Sequence, residues 1–313
     1  MTSNTLIQKP LRLVVNQYDP TRTLTLRSAF AKNMNGRFNA LTKAIRQAVV
    51  AQDCFGLQLQ VFAELNTPMP RAFDFPRSQD KIAAFMQWLR QQEQLGILET
   101  ATLSRFGSGI EDVWTDIYIM DSYKRGIIRA RQELRKAGYD VPDIDASGGI
   151  EAVMGGPFHV DRVGVLYTRV FESLKGITSQ MDAQISQVLA QGLIDGDSAA
   201  FLARKLVATI NGTNMGELGI TDSLGRFIPA KRRAEMLART EIIRAHHLAN
   251  IQEYKNWGAL GVTVIAEWST AGDDRVCPVC EIMQGNKYTL QEIEGMIPAH
   301  VLCRCMAIPV IKQ

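Results

Sequence analysis

The stretch Trp268-Ser269-Thr270-Ala271-Gly272-Asp273-Asp274-Arg275-Val276-Cys277-Pro278-Val279-Cys280, resumed nineteen residues later by His300-Val301-Leu302-Cys303-Arg304-Cys305, decides how this chain is read. Four of its five cysteines and one of its four histidines fall within these 29 positions from Cys277 to Cys305. Thiolate and imidazole are the donors that zinc prefers, and a tetrahedral site takes four of them. A CxxC turn lets two sulfurs face one ion, and the second cluster supplies the rest. Five candidates, Cys277, Cys280, His300, Cys303 and Cys305, compete for four places. That predicts a closed, structural zinc with no open position for water. Cys277 and Cys280 are the firm pair, and His300 is the third ligand. The fourth is Cys303 or Cys305. Alternate residues of a strand point to opposite faces, so one of those two is expected to turn away. A disulfide is the competing use of the thiols, and a reducing compartment disfavours it.

The flanks of this stretch read as strands. Gly261-Val262-Thr263-Val264-Ile265-Ala266-Glu267-Trp268 is β-branched and alternating, and Met306-Ala307-Ile308-Pro309-Val310-Ile311 is a second candidate. An antiparallel pair with the knuckle between its strands is the expectation. Upstream, the apolar spacing is helical. Leu26, Phe30, Met34, Phe38, Leu41, Ile45 and Val49 form one stripe, with Asp19 as cap and Pro20 at the first helical position. Ser78 caps a helix carrying Ile82, Phe85, Met86 and Leu89, interrupted at Gly96. A third helix spans 110–137 and stops at Gly138. The most regular stripe runs from Val163 to Val188 and ends at Gly192. Further helices follow from Ser198 and over 230–257. Loops are expected over 54–77 and 211–229, and an arm or edge strand at 11–15. Residues 138–160, rich in Gly and Pro, read as an exposed hinge. The predicted fold is therefore α+β and mainly α-helical, with a small C-terminal β-containing zinc knuckle. Its two domains are 1–150, helical with a basic arm, and 151–313, helices plus the knuckle.

This order of features resembles the phage Mu F-like head morphogenesis family, minor capsid proteins of tailed phages. The resemblance runs from about Phe158 to Pro309 and is carried by Ala238-Arg239-Thr240-Glu241 at a helix, the strand with its Trp, Asp-Asp-Arg-Val-Cys-Pro-Val-Cys, and His-x-x-Cys-Arg-Cys. Asp19-Pro20-Thr21-Arg22-Thr23 is also similar to members of that family, whereas Ala299-His300 departs from the Pro-His or His-Pro of many relatives. The resemblance implies a non-enzymatic head component that associates with the portal and with scaffold or major capsid protein, in the host cytoplasm during assembly and then in the virion. It also implies that Arg239 and Glu241 tie their helix to the knuckle.

Charge adds a reading of its own. The whole chain carries +3, but residues 1–53 hold eight Lys or Arg against two Asp. Arg22, Arg27, Lys32, Arg37, Lys43 and Arg46 are off or beside the apolar stripe, and are candidates for contact with double-stranded DNA or an acidic portal surface. Residues 124–136, with six basic residues and one acid, suggest a second positive surface. No run of about eighteen apolar residues and no secretion signal occurs, so a soluble protein that stays where it is made is expected. Asp273-Asp274-Arg275 reads as turn chemistry. His246 and His247 diverge by about 100° on a helix and do not chelate one ion together. Cys54 reads as a small core residue. The competing function is a zinc-dependent enzyme acting on nucleic acid. The proline required before the first Cys of a deaminase PCxxC is missing, and no HxE occurs upstream.

Overall fold

Helix α1 (Leu24–Arg46) buries Leu26, Phe30, Met34, Phe38, Leu41 and Ile45, and a π-helical turn at Gln47–Ala51 carries the same stripe on to Val49. The computed structural model describes residues 19–57, 78–101, 112–212, 226–259 and 264–311. The expected arm at 11–15, residues 58–77 and residues 213–225 lie outside them. Asp19 is not the N-cap that the sequence suggested, since the helix starts at Leu24 after Thr23. Its carboxylate reaches forward instead, accepting from the Leu24 N–H at 2.7 Å and pairing with Arg27 at 2.8 Å.

Helix α2 (Ser78–Gly96) follows, then a short β1 (Thr100–Ala101) paired antiparallel with β2 (Asp112–Val113). Helix α3 therefore begins only at Asp116 and runs to Lys136, shorter than the predicted 110–137. The Asp116 carboxylate accepts from the Val113 N–H at 3.0 Å and fixes the strand-to-helix turn.

Residues 138–160 are not the hinge that their glycines and prolines suggested. Val141 and Met154 are buried, a 3₁₀ turn occupies Asp145–Ser147, and α4 spans Gly149–Met154. The Arg131 guanidinium donates to the Pro142 and Asp143 carbonyls and to the Ser147 hydroxyl. These bonds hold the segment against α3. Helix α5 (Pro157–Ile194) has its proline in the first turn, where a missing N–H costs nothing. It runs on to Ile194, past Gly192, where a side chain would strike Leu202 and Asp197, so this glycine serves close packing and does not end the helix. Helix α6 (Ala199–Asn211) is capped by Ser198.

Helix α7 (Ala230–Ala259) packs against α1, α3, α5 and α6. One apolar cluster takes in residues of α1, α2, α3, α5, α6 and α7, from both sides of residue 150. A second lies under a three-stranded antiparallel sheet of order β4-β3-β5, with β3 Val264–Ser269, β4 Lys287–Tyr288 and β5 Met306–Ile311. Val264 pairs with Ile311 and Ser269 with Met306. The predicted β3–β5 pair is present. β4, two residues long, was not foreseen.

The α3–α7 crossing is tight at Gly126. A Cβ there would lie 2.5 Å from the His246 carbonyl oxygen and 2.6 Å from the Ala249 Cβ. The Ser122 hydroxyl donates to the Ile242 carbonyl at 2.6 Å beside it. Gly126→Ala is therefore expected to lower unfolding free energy by roughly 1–3 kcal/mol through overpacking. Gly36→Ala, on the exposed side of α1 with nothing within 4 Å, is expected to raise it by about 0.5–1 kcal/mol. Urea denaturation of both variants checks the contrast.

Candidate metal centre

The two halves of the knuckle are presented by different local devices. Cys277 caps the short helix α8 (Pro278–Met283), accepting from the Cys280 N–H at 3.4 Å through its sulfur. An N–H donor at a helix start favours thiolate, and the Cys277 pKa is lowered for that reason. On the other side, residues 300–303 form a turn closed by the Cys303 N–H on the His300 carbonyl. Leu302 sits in the left-handed region at φ 63°, and its N–H donates to the Thr240 hydroxyl on α7 at 3.0 Å. A left-handed leucine is costly, so its surroundings must hold it there. Thr240 is the residue that does so, and no sequence pattern singled it out from its neighbours.

All four cysteines and His300 converge. His300 Nε2 lies 3.1 Å from the sulfurs of both Cys277 and Cys280. Cys280 Sγ lies 4.0 Å from Cys303 Sγ, far beyond a disulfide bond, and all five cysteines of the chain are free. Cys277, Cys280 and His300 form one group of donors within 4.8 Å of one another, and Cys280, Cys303 and Cys305 form a second. Zinc with bonds of about 2.3 Å to sulfur and 2.0–2.1 Å to nitrogen places neighbouring ligand atoms roughly 3.5–3.8 Å apart. The donor set brackets that spacing. His300 Nδ1 is 2.8 Å from the Val301 carbonyl oxygen, a contact that fixes Nδ1 as the protonated nitrogen and frees Nε2 to bind a metal. Cys303 and Cys305 both face Cys280, contrary to the expected divergence. Residues 303–305 precede β5 and are not in a strand, so side-chain alternation does not apply to them.

Proton distribution within the thiols is uneven. The contact between the two thiols lowers the Cys303 pKa to about 5 and raises that of Cys305. Burial pushes Cys280 up to about 12. A metal arriving at such a cluster must displace protons, so its affinity rises with pH.

Asp273 proves to be more than a turn residue. Its carboxylate accepts two bonds from the Arg304 guanidinium, at 2.7 and 2.5 Å, and another from Arg275 at 2.8 Å. These bonds hold its pKa well below the usual carboxylate range. The Asp273–Arg304 fork ties the loop before the first cysteine pair to the residue between the second pair.

Glu241 does not bond the knuckle. It is buried on α7 and receives Arg169 of α5 at 3.3 Å and Arg244 at 3.1 Å. Arg239 pairs with Glu235, one turn back. The expected tie between helix and knuckle is made instead by Thr240 and by His247, whose Nε2 lies 3.0 Å from the Ile293 and 3.2 Å from the Glu294 carbonyl oxygens. Ile293 ends α9 (Leu290–Ile293), the short helix between the two ligand pairs.

The six basic candidates near the N-terminus divide. Arg27 is buried on Asp19. Arg37 donates to the Gly96 carbonyl and pairs with Glu99, and its guanidinium lies 4.1 Å over the Trp114 ring. Both are spent inside the fold and are withdrawn as DNA or portal contacts. Arg22, Lys32, Lys43 and Arg46 are exposed. The second positive surface, over 124–136, is largely cancelled. Lys124 pairs with Glu151, Arg129 and Lys136 with Glu133, and Arg131 with Glu253.

Against known proteins, the family model described as Phage Mu protein F like protein matches residues 183–308. Over that region the chain is similar to the family; the matched stretch covers the end of α5, then α6, α7 and nearly all of the knuckle module. No curated protein and no solved structure matches. Among the described residues no helix is long and apolar enough to cross a membrane.

His247 yields a pH prediction. Burial lowers its pKa to about 4, because protonation at the buried, unpartnered Nδ1 would place a charge in the core. A base with a depressed folded-state pKa leaves stability intact above its unfolded value of about 6.5 and removes it as pH falls toward the folded value. Lowering the pH from 7.5 to 5 should therefore cost the native chain about 2 kcal/mol more than it costs His247→Gln. Urea unfolding at the two pH values checks this.

Proposed function

We propose that this protein is a structural head-morphogenesis component of a tailed phage or prophage, a minor capsid protein that joins the portal and procapsid and has no catalytic task. The match of a Mu F-like family over residues 183–308 carries this reading. It implies assembly partners in the portal and in scaffold or major capsid protein, first in the host cytoplasm and then in the virion head. Contact with double-stranded DNA, where it occurs, falls to Arg22, Lys32, Lys43 and Arg46, the exposed members of the basic set.

In this reading the knuckle holds a structural zinc. Cys277, Cys280, His300 and Cys303 are the proposed ligands, and Cys305 donates its thiol proton to the Cys303 sulfur. Zinc bound in this way cross-links α8 to the 300–303 turn and supplies folding energy to a module that has only three strands. The donor set supports a structural role because it fills a tetrahedron without water. Purified protein should contain about one zinc per chain. Cys277→Ser or Cys280→Ser should abolish it and lower the unfolding midpoint, whereas Cys305→Ser, still a hydroxyl donor, should keep it. Elemental analysis with thermal unfolding measures both. Metal-free protein of undiminished stability would refute the site.

The assembly role is tested by passing the full chain over an immobilised ring of the portal protein from the same phage. Retention of the chain on the ring, with no hydrolysis of duplex DNA in zinc buffer, is the expected result. Failure to bind, together with metal-dependent DNA cleavage that disappears in His300→Ala, would favour the enzyme.

A further inference from the structure

A cleft of about 470 Å³ opens between α5, the first half of α7 and the 298–301 segment. It lies beside the knuckle, and its charge is unbalanced. Three arginines line it, Arg169, Arg233 and Arg244, with one carboxylate, Glu241. Glu241 is already shared by Arg169 and Arg244. Arg233 is left over.

Arg233 is 9% exposed, and its bond is to a neutral group, from Nη1 to the Gln180 amide oxygen. Its Nε and Nη2 are buried and have no partner among the described residues. Burial lowers its pKa, and no acid opposes that shift. Nε–H and one Nη2–H together form one edge of the guanidinium, the fork that matches a carboxylate with two parallel bonds. Leaving both donors of that edge unmade in a folded protein is costly, and calls for a physical reason.

The remaining walls decide the type of anion. Met236, Leu237, Pro298, Ala299 and Val301 are apolar, Thr240 and His300 are the neutral polar members, and the Glu241 carboxylate sits among them. A duplex phosphate backbone would meet a recess with apolar walls and a fixed negative group. A carboxylate on a short apolar peptide segment meets the fork at Arg233 and apolar surface around it. Met236, an unbranched thioether, is the adaptable part of the wall.

We propose that this cleft is a docking site for an acidic side chain carried on an apolar peptide segment of a partner protein, with the unpaired edge of Arg233 as its anchor. The site goes beyond the head-protein reading; because His300, a proposed zinc ligand, also lines the cleft, zinc content is measured in every variant so that loss of the metal and loss of the docking site are told apart.

The test uses the full zinc-loaded chain and two dye-labelled, amidated pentapeptides, one with a single glutamate between leucines and one with glutamine in its place. Fluorescence anisotropy should show the glutamate peptide binding tighter by roughly tenfold or more, the worth of a charge-assisted bidentate contact. Arg233→Gln should erase that difference. Met236→Trp fills the cleft from a half-buried position on α7, outside both apolar clusters and away from the proposed ligands, and should weaken both peptides while leaving the unfolding midpoint and zinc content unchanged. It keeps the test valid if Arg233→Gln does not fold. Equal binding of the two peptides, no binding of either, or indifference to Met236→Trp would overturn the proposal. So would competition by inorganic phosphate or a short DNA duplex as effective as that of unlabelled glutamate peptide.

Discussion

The fold depends on the distance between two helix backbones. At Gly126 the α3 chain passes close enough to α7 that a single methyl group would collide with the His246 carbonyl. The Asn250 amide is placed to donate to the Gly126 and His246 carbonyls, and Ser122 bonds the Ile242 carbonyl in the same seam. Further along, Arg131 reaches Glu253, which also receives Trp257 and lies 3.4 Å from His159. Charges buried this deeply are tolerable when each one meets partners. The seam fixes α7, and α7 then carries the C-terminal module. Thr240 holds Leu302, His247 holds the end of α9, and the Tyr254 hydroxyl reaches the Ala307 carbonyl. Lys255 and Arg162 both pair with Glu294. The knuckle thus rests on a rigid helix and is not a mobile appendage.

Charge in this molecule is mostly turned inward. A basic stretch in sequence suggests an external anion, but here many guanidinium groups find carboxylates or carbonyls of the same chain. Arg131 bridges a helix and the segment that follows it, and Arg304 binds the knuckle loop through Asp273. Arg27 is paired with Asp19, and the fields of Arg304 and Arg239 also act on it. The turn at residues 19–23 and the knuckle at 273–305 are therefore electrostatic neighbours despite their separation in sequence. Arg129 also leaves buried guanidinium nitrogens without a hydrogen bond, but it has Glu133 3.0 Å away, whereas no ion pair is found for Arg233 among the described residues.

What was legible in the sequence was whatever depends on period and donor type. The stripe from Leu26 to Val49 predicted α1, and the stripe from Val163 to Val188 predicted α5, because burial on one helix face follows the 3.6-residue period. Alternation over Gly261–Trp268 predicted the strand, and β3 is described over Val264–Ser269. The cysteine and histidine spacing picked out the residues that the fold brings together. The hinge at 138–160 was misread because glycine and proline report local backbone freedom and not what a distant arginine does to a segment. The basic residues were misjudged for the same reason, since their partners Glu253, Glu151 and Asp19 are chosen by tertiary contact. Cys303 and Cys305 were expected to diverge because a strand was assumed to begin before them.

The α3–α7 seam joins residues that lie about 120 positions apart, as the Ser122–Ile242 and Arg131–Glu253 bonds record. During synthesis, α1, α2, α3 and α5 leave the ribosome well before the helix that covers them. Their apolar faces wait for α7, and the knuckle cannot seat until α7 is in place. Long-range closure of this kind slows folding and leaves sticky surface exposed meanwhile. The seam that ties the finished molecule together also leaves the nascent chain with uncovered apolar faces, and a truncation before residue 230 removes one wall of the helical core.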